Sequence, residues 1–170
     1  LIGNSISNIL DGGSGIDTVQ VKSQRDQYVL HKALDGYSIV DNANPDNQDT
    51  LVAVERLEFD NIKLALDLDS HAGEVAKLLG AVFGAATINN KEYVGIGLAE
   101  ADTGLSYEQL GEFALNAREL KTTDEMVTLL WNNLFGNIPS ETEKSPYIQL
   151  VDSGEMSAGT LAILAADSSA

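Results

Sequence analysis

Apolar and polar residues alternate along the first seventy positions of the chain, which is the pattern of β-strands with one buried face. Asp17 to Lys22 alternates in this way, and two further runs, Tyr28 to Leu34 and Tyr37 to Val40, flank the pair Asp35-Gly36. An Asp-Gly pair between two such runs predicts a hairpin whose two turn residues have positive φ. This half of the chain is therefore predicted to be β structure.

A polar segment interrupts the predicted strands. Asp41 to Thr50 is rich in Asp and Asn and contains one Pro, so it predicts a loop. Leu51 to Leu68 then returns to apolar alternation.

The hydrophobic period changes to about 3.6 residues from Ser70 onward, which predicts helices. Start signals of the capping-box type and glycine stop signals divide this half into short helices. The predicted helices are a stripe from Val75 to Phe83 ending near Gly84, one capped by Ser106 and Gln109, one capped by Thr122 and Glu125 and ended by Gly136, one from Glu141 to Asp152, and one beginning at Ser157. We expect an α+β protein in which a β-roll end or strand cap (residues 1–70) precedes a compact all-α domain (residues 71–170).

Composition narrows the possible partners. The 170 residues carry 26 acidic and 10 basic side chains, a formal net charge of −16, so nucleic acids and anionic membrane surfaces are excluded as partners. No apolar run approaches the roughly 20 residues of a membrane-spanning helix. The absence of Cys excludes thiol catalysis, disulfides and zinc-thiolate sites. An acidic, Cys-free chain with 15 glycines makes calcium the first candidate ligand.

One nine-residue segment carries a specific motif. Gly12 to Gln20 matches G-G-x-G-x-D-x-U-x at every specified position, where U is a large apolar residue. The three glycines allow a tight turn that exposes backbone carbonyls, and Asp17 adds a carboxylate at its end. Calcium binds six to eight oxygens and accepts such a mixture, so the loop supplies about half a shell. The alternative is an ordinary Gly-rich turn before a strand.

This segment resembles the repeats-in-toxin, or haemolysin-type, calcium-binding family. The preceding residues Gly3 to Asp11 resemble a degenerate copy of the repeat, in which Asn8 stands where Asp is usual. The resemblance implies a β-roll in which loops 18 residues apart share calcium ions. The partner of the Gly12–Asp17 loop is then expected upstream of Leu1 or in a later loop.

The resemblance extends over nearly the whole chain. Asp49 to Asp60 is similar to the segment that closes the β-roll in secreted proteins of this family. Leu129 to Pro139 and Leu150 to Ser157 resemble a helical domain of unknown function that accompanies these repeats, although Asn137 and Tyr147 replace its usual Arg and Trp.

The polar segment contains a second candidate site, since Asp41, Asp46 and Asp49 with Asn42, Asn44 and Asn47 could ring a calcium ion. Most such stretches are solvated turns, which is the alternative. The candidate metal ligands of the chain are Asn8, Gly12, Ser14, Gly15, Asp17, Asp41, Asp46 and Asp49.

Other chemistry-bearing residues are assigned structural roles. Asp67 and Asp69 are a ligand pair or, with Ser70, a helix N-cap. Asp102 to Glu108 is better explained by helix capping than as a calcium loop, because EF-hand spacing is not met. The two histidines, His31 and His71, are in no metal-binding motif. Trp131 is predicted to be a core anchor.

No catalytic motif is present, so we expect a non-catalytic, calcium-binding module of a secreted bacterial protein that folds on binding calcium. The resemblance implies passage unfolded through a type I secretion machinery to the extracellular space or cell surface. Because the chain starts at Leu1 rather than Met, we expect it to be a fragment of a longer protein. One alternative is an adhesion or interaction module whose helical domain binds a protein or glycan and in which calcium is only structural. A third possibility is a fragment of an enzyme.

Overall fold

The computed structural model describes residues 1–4 and 6–168 and divides into two compact units, Leu1–Leu68 and Asp69–Ala170. Strands form the first unit and helices the second, so the predicted α+β class, with strands before helices, is confirmed. Ser5, which belongs to the predicted degenerate repeat, lies outside the described residues.

Over residues 1–4 and 6–68, the first unit contains seven strands in two sheets. One sheet has the order β1-β5-β4-β3 and the other β2-β6-β7. The strands are β1 (Ile9–Asp11), β2 (Thr18–Val21), β3 (Tyr28–Ala33), β4 (Gly36–Asp41), β5 (Asn44–Val52), β6 (Arg56–Phe59) and β7 (Lys63–Ala65).

The chain coils between the two sheets. It passes from β1 in one sheet to β2 in the other, and later repeats the step from β5 to β6. Both steps are stacked in parallel: Leu10 is opposite Leu51, and Val19 is opposite Leu57. The β3–β4 hairpin is inserted between the two turns of this coil, and β4 pairs antiparallel with β5. The side chains between the sheets form one core of Val19, Ile39, Leu51, Val54, Leu57, Phe59 and Leu66.

The predicted hairpin exists, but its turn is displaced by one residue. Ala33 pairs with Gly36, so the two turn residues are Leu34 and Asp35. Neither has positive φ, and the expectation of a positive-φ Asp-Gly turn is wrong. Gly36 is instead the first residue of β4, with φ of 135°, and a Cβ there would be 2.1 Å from the carbonyl oxygen of Leu51. Close approach of backbone therefore explains this glycine.

The predicted loop Asp41–Thr50 is mostly strand, and that prediction is wrong. Pairing with β4 supplies partners for the backbone of β5 and outweighs the turn-forming composition. The turn-forming residues are accommodated by a shift of register in the β4–β5 pairing. Val40 pairs with Gln48, whereas the next residue, Asp41, pairs with Asn44. Pro45, which has no N–H to donate, lies in the part of β5 that this shift leaves out of register.

The described part of the second unit, residues 69–168, contains six α-helices, most of which have strong local signals. The predicted capping boxes of Ser106 with Gln109 and of Thr122 with Glu125 are both present. Gly136 has φ of 70° and ends its helix in the left-handed conformation, as predicted. The helices are α1 (His71–Phe83), α2 (Lys91–Asp102), α3 (Tyr107–Asn116), α4 (Thr123–Phe135), α5 (Glu141–Asp152) and α6 (Ala158–Ser168).

Helix α2 is the helix that the sequence interpretation missed. It contains two glycines, Gly95 and Gly97, which lower helix propensity. The available signal was its N-cap, because the side chain of Asn90 accepts hydrogen bonds from the N–H groups of Glu92 and Tyr93. Packing against α1 supplies the remaining stability, since a Cβ at Gly97 would be 2.6 Å from Cγ1 of Val75.

Helices α3 and α6 pack closely through two glycines. A Cβ at Gly159 would be 2.3 Å from the carbonyl oxygen of Glu108, and one at Gly111 would be 2.9 Å from the carbonyl oxygen of Gly159. Backbone atoms cannot move aside as a flexible side chain can. These two positions therefore set the distance between α3 and α6. The core that surrounds them includes Leu110, Leu115, Val127, Leu130, Leu161 and Ala162.

The packing predicts opposite effects for two Gly→Ala substitutions. Gly159→Ala should lower the free energy of unfolding of the helical unit by about 1–3 kcal/mol, because overpacking forces the helices apart. Gly95→Ala places its Cβ in open space on α2 and should raise that free energy by about 0.5–1 kcal/mol. Denaturant unfolding followed by fluorescence of Trp131, the only tryptophan, measures both. Equal effects would contradict this packing.

Candidate metal site

The motif loop Gly12–Asp17 connects β1 to β2 and so crosses from one sheet to the other. Gly13 and Gly15 have φ values of 82° and 104°, which L side chains rarely adopt. The N–H of Gly13 donates to Oδ1 of Asp11 at 3.1 Å. Residues 13 to 16 are exposed to solvent, including Ser14.

A shorter turn, Ala53–Glu55, stacks against the motif loop. The N–H of Gly12 donates to the carbonyl of Val52 at 3.0 Å, and the carbonyl of Asp17 accepts from the N–H groups of Glu55 and Arg56. A Cβ at Gly12 would be 2.0 Å from the carbonyl oxygen of Ala53, so only glycine fits there. The loop of the next coil turn thus lies directly beside the motif.

This stacking places a second carboxylate at the loop. Oε2 of Glu55 accepts from the backbone N–H of Asp17 at 2.9 Å. The side chain of Asp17 folds back over the start of the loop, because its Cγ is 2.9 Å from an ideal Cβ at Gly12. Glu55 was missed by the sequence interpretation, since the inserted hairpin separates it from Asp17 by 38 positions and no motif marks it.

Asn8 and Asp49 lie together on the opposite side of the coil. Oδ1 of Asp49 accepts from the backbone N–H of Asn8 at 2.8 Å and from its side-chain amide at 3.0 Å. Nearby, the Ser7 hydroxyl donates to the carbonyl of Asp46. The carboxylate of Asp49 therefore stabilises the chain before β1.

The other acidic candidates are dispersed. Asp41 lies at the β4–β5 turn, where its Oδ1 accepts from the N–H of Ala43 at 2.8 Å, and Asp46 is exposed on β5. Within residues 1–4 and 6–168, no three Asp, Glu or His side chains are grouped so that they could hold a metal ion. A ring of Asp41, Asp46 and Asp49 is thus not formed, because β-strand geometry spreads these residues along the β4–β5 pair.

One buried oxygen near Asp49 lacks a partner in the described part of the chain. The side-chain oxygen Oδ1 of Asn47 is inaccessible to solvent and accepts no hydrogen bond. Asn47 and Asp49 both line a cavity of about 170 Å³, which also contacts Gly3 and Lys22. A buried, unpaired oxygen that shares a cavity with a carboxylate is a group that a cation or a water molecule would satisfy.

The negative charge of this region contributes to a raised pKa of Tyr28. Burial is the main cause that raises the pKa of its phenol, the charge of Asp41 raises the pKa further, and the charge of Asp49 adds the smallest contribution. A hydrogen bond with Ser23 acts in the opposite direction.

Residues assigned structural roles from sequence are placed as follows. Nδ1 of His71 is 3.3 Å from Oδ1 of Asp102, and His31 is exposed on β3. Trp131 is half-buried; its ring lies 4.6 Å from that of Phe135, and its Nε1 donates to Asn137. Asp67 pairs with Arg56, at 2.5 Å between Oδ1 and a guanidinium nitrogen. Ser70 precedes α1, but its side chain makes no capping hydrogen bond.

Comparison of the chain with protein-family models, with curated proteins and with solved structures finds no match in any of the three. Across residues 1–4 and 6–168, no helix combines the length and the hydropathy needed to cross a lipid bilayer.

The hydrogen bonds to Asp49 predict a stability effect in the absence of metal. Asp49→Ala leaves two donors of Asn8 without this acceptor and should lower the stability of the β unit by about 1–2 kcal/mol. Asp46→Ala is the matched control, because its exposed side chain accepts no hydrogen bond from a described residue. Amide hydrogen exchange should show faster exchange at Asn8 in the first variant alone. Unchanged exchange there would contradict the assigned bonds.

The phenol of Tyr28 predicts a second, electrostatic effect. Because negative charge favours the neutral phenol, Asp41→Asn should lower the pKa of Tyr28, and Asp49→Asn should lower it less. Stability contributed by the raised pKa is complete below pH 10 and is lost as pH rises through the folded-state value. Ultraviolet titration of tyrosinate, with Tyr28→Phe subtracted, measures the pKa. A larger effect of Asp49→Asn would contradict this assignment.

Proposed function

We propose that this chain is a calcium-binding, non-catalytic module of a secreted bacterial protein of the repeats-in-toxin type. It folds when it meets calcium outside the cell. The β unit carries the calcium function, and the helical unit is an accompanying domain.

One observation carries the proposal: residues 18 positions apart lie side by side on parallel segments of the chain. Ile2 pairs in parallel with Gln20, and the motif loop Gly12–Asp17 lies within that turn at the crossing between sheets. The N-terminal end of the chain is held there by a bond from the N–H of Gln20 to the carbonyl of Leu1 at 2.9 Å. An 18-residue parallel coil with a Gly-Asp loop at its corner is the geometry that the resemblance implies.

The oxygen atoms at this corner suit a hard cation, because hard cations prefer oxygen ligands. The loop offers the carboxylate of Asp17 and exposed backbone carbonyls, and the stacked turn adds the carboxylate of Glu55. Calcium accepts such mixed oxygens in flexible geometry, whereas zinc prefers His and Cys ligands, and residues 12–17 and 53–55 include neither. Water completes the shell on the exposed side of Gly13, Ser14 and Gly15.

Charge gives a physical reason for coupling between folding and calcium. A formal charge of −16 repels itself in the compact state, and the glycines of the loop are costly to order. A ligand that binds only the folded state stabilises it by about 2.7 kcal/mol at a hundredfold excess over Kd. Sites of extracellular modules have Kd values of roughly 10⁻⁴ to 10⁻³ M, so extracellular calcium fills them and cytosolic calcium does not.

This difference in calcium concentration supports secretion in an unfolded state. A chain that remains unfolded in the cytosol suits a type I secretion machinery, and folding then follows at the cell surface or in the medium. The proposal thus places the calcium ion, the secretion machinery and the extracellular location in one sequence of events.

An interaction module is the second candidate, and the surface of the helical unit favours it. Phe135 and Ile138 are 57% and 80% exposed, next to the half-buried Trp131. A contiguous apolar patch at a surface is typical of a protein or glycan contact, and the rings of Trp131 and Phe135 are 4.6 Å apart. In that case the helical unit binds the partner whether or not calcium is present, and calcium has only a structural role. Partner binding that persists in chelator would favour this second candidate.

Calcium titration of the full chain tests the first proposal. Calcium should raise the melting temperature of the β unit by several degrees, measured by far-ultraviolet circular dichroism, with saturation at roughly 10⁻⁴ to 10⁻³ M. Asp17→Asn should abolish most of this shift. Asp35→Asn, an exposed acid in the hairpin turn, removes the same charge and should leave the shift intact.

Magnesium at equal concentration separates specific binding from charge screening, since it is smaller and demands octahedral geometry. Melting temperatures that respond equally to both ions, or an unchanged shift in Asp17→Asn, would contradict the proposed site.

A further inference from the structure

The helical unit contains an apolar pocket that the calcium proposal does not use. It has a volume of about 280 Å³ and is formed where α1, α2 and α3 meet. Its floor belongs to the core, because Leu78, Leu79 and Leu110 are only 2–6% exposed. Its mouth is open, because Tyr93, Ile96 and Phe113 are 39–45% exposed. Solvent therefore reaches into the hydrophobic core at this point.

Among the described residues, those that line the pocket include no charged residue, and their only side-chain polar group is the hydroxyl of Tyr93. A polar ligand would lose its hydration in the pocket without gaining hydrogen bonds there. An apolar chain, in contrast, gains about 25 cal/mol for each Å² removed from water. The volume lies just below the range of about 300–1,000 Å³ typical of ligand pockets, which favours a small, single-chain molecule.

A cation is fixed at the edge of this pocket. The guanidinium carbon of Arg118 lies 5.5 Å from the ring centre of Phe83, a lining residue, and Arg118 directly follows Ala117, another lining residue. No carboxylate of residues 1–4 or 6–168 lies within ion-pair distance of Arg118. Stacking on the ring leaves the N–H donors of the guanidinium available for an anion.

This unpaired cation stands out in an acidic unit. Residues 69–170 carry fifteen acidic and five basic side chains. At physiological ionic strength charges more than about 8 Å away are largely screened, so a cation held on the ring of the lining residue Phe83 acts on a bound head group more strongly than distant charges do. An arginine guanidinium binds a carboxylate with two parallel hydrogen bonds.

We infer that the pocket binds the chain of a medium-length fatty acid, whose carboxylate pairs with Arg118. The apolar chain enters between α1, α2 and α3 and contacts the leucines of the floor, while the head group stays at the solvent edge. This binding site is independent of the calcium proposal, because all its residues lie in the helical unit.

Isothermal titration calorimetry of the full chain with decanoate, below its aggregation concentration, tests the inference. Decanoate should bind at one saturable site, at least fivefold more tightly than decanol, which has the same chain without the charge. Arg118→Gln should remove this preference by weakening decanoate binding fivefold or more while decanol binding stays the same. A preference that survives in Arg118→Gln would overturn the assignment of the head group.

A second pair of variants tests the location of the chain. Ala117→Leu adds a side chain at the pocket edge and should weaken both ligands at least tenfold, whereas Asn116→Leu, one position earlier and outside the lining, should not. Fluorescence of Trp131 during unfolding shows that each variant is folded. No saturable binding to the wild-type chain, or equal effects of the two leucine variants, would overturn the inference. Repeating the titration in chelator keeps its outcome separate from that of the calcium experiment.

Discussion

The β unit depends on the contact between the motif loop and the turn stacked against it. The carbonyl of Asp17 accepts two N–H groups from the Ala53–Glu55 turn and β6, and Gly12 donates to Val52 at the other end. These bonds join the two turns of the coil at the corner where the chain crosses from one sheet to the other. The absent side chain of Gly12 lets the two backbones approach, since any Cβ would overlap the carbonyl of Ala53. The same approach brings Glu55 to the candidate metal site.

The insertion of the β3–β4 hairpin explains why this corner differs from a regular repeat. A uniform coil would stack one six-residue loop on another, whereas the motif loop is stacked on a turn of three residues, Ala53–Glu55. The shorter turn replaces glycine carbonyls with the carboxylate of Glu55. One face of the loop is thus closed by this chain, while Gly13 and Gly15 face open space. In the calcium site that we propose, the protein ligands lie on one side of the loop and water lies on the other.

The helical unit depends on close packing between helices rather than on a stacked loop. Small residues, above all Gly111 and Gly159, bring α3 and α6 into backbone contact. On the other side of α3, the packing against α1 and α2 is incomplete and leaves the apolar pocket. Close packing on one face and an open core on the other make the two faces of α3 respond differently to substitution. Residues 69–170 carry fifteen acidic and only five basic side chains, and one of these few cations, Arg118, lies at the pocket edge.

The sequence by itself determined the two hydrophobic periods, the α+β order and most helix ends, because capping boxes and glycine stops act within four residues. It also marked the Gly12–Asp17 loop. Only the tertiary structure decided that Asp41–Thr50 is mostly strand, that Gly36 serves close approach rather than a turn, and that Glu55 joins Asp17 across 38 positions. It also decided the position of α2, whose glycines hide its helical pattern. The physical reason is the same in each case: backbone pairing and packing between residues distant in sequence outweigh local propensity.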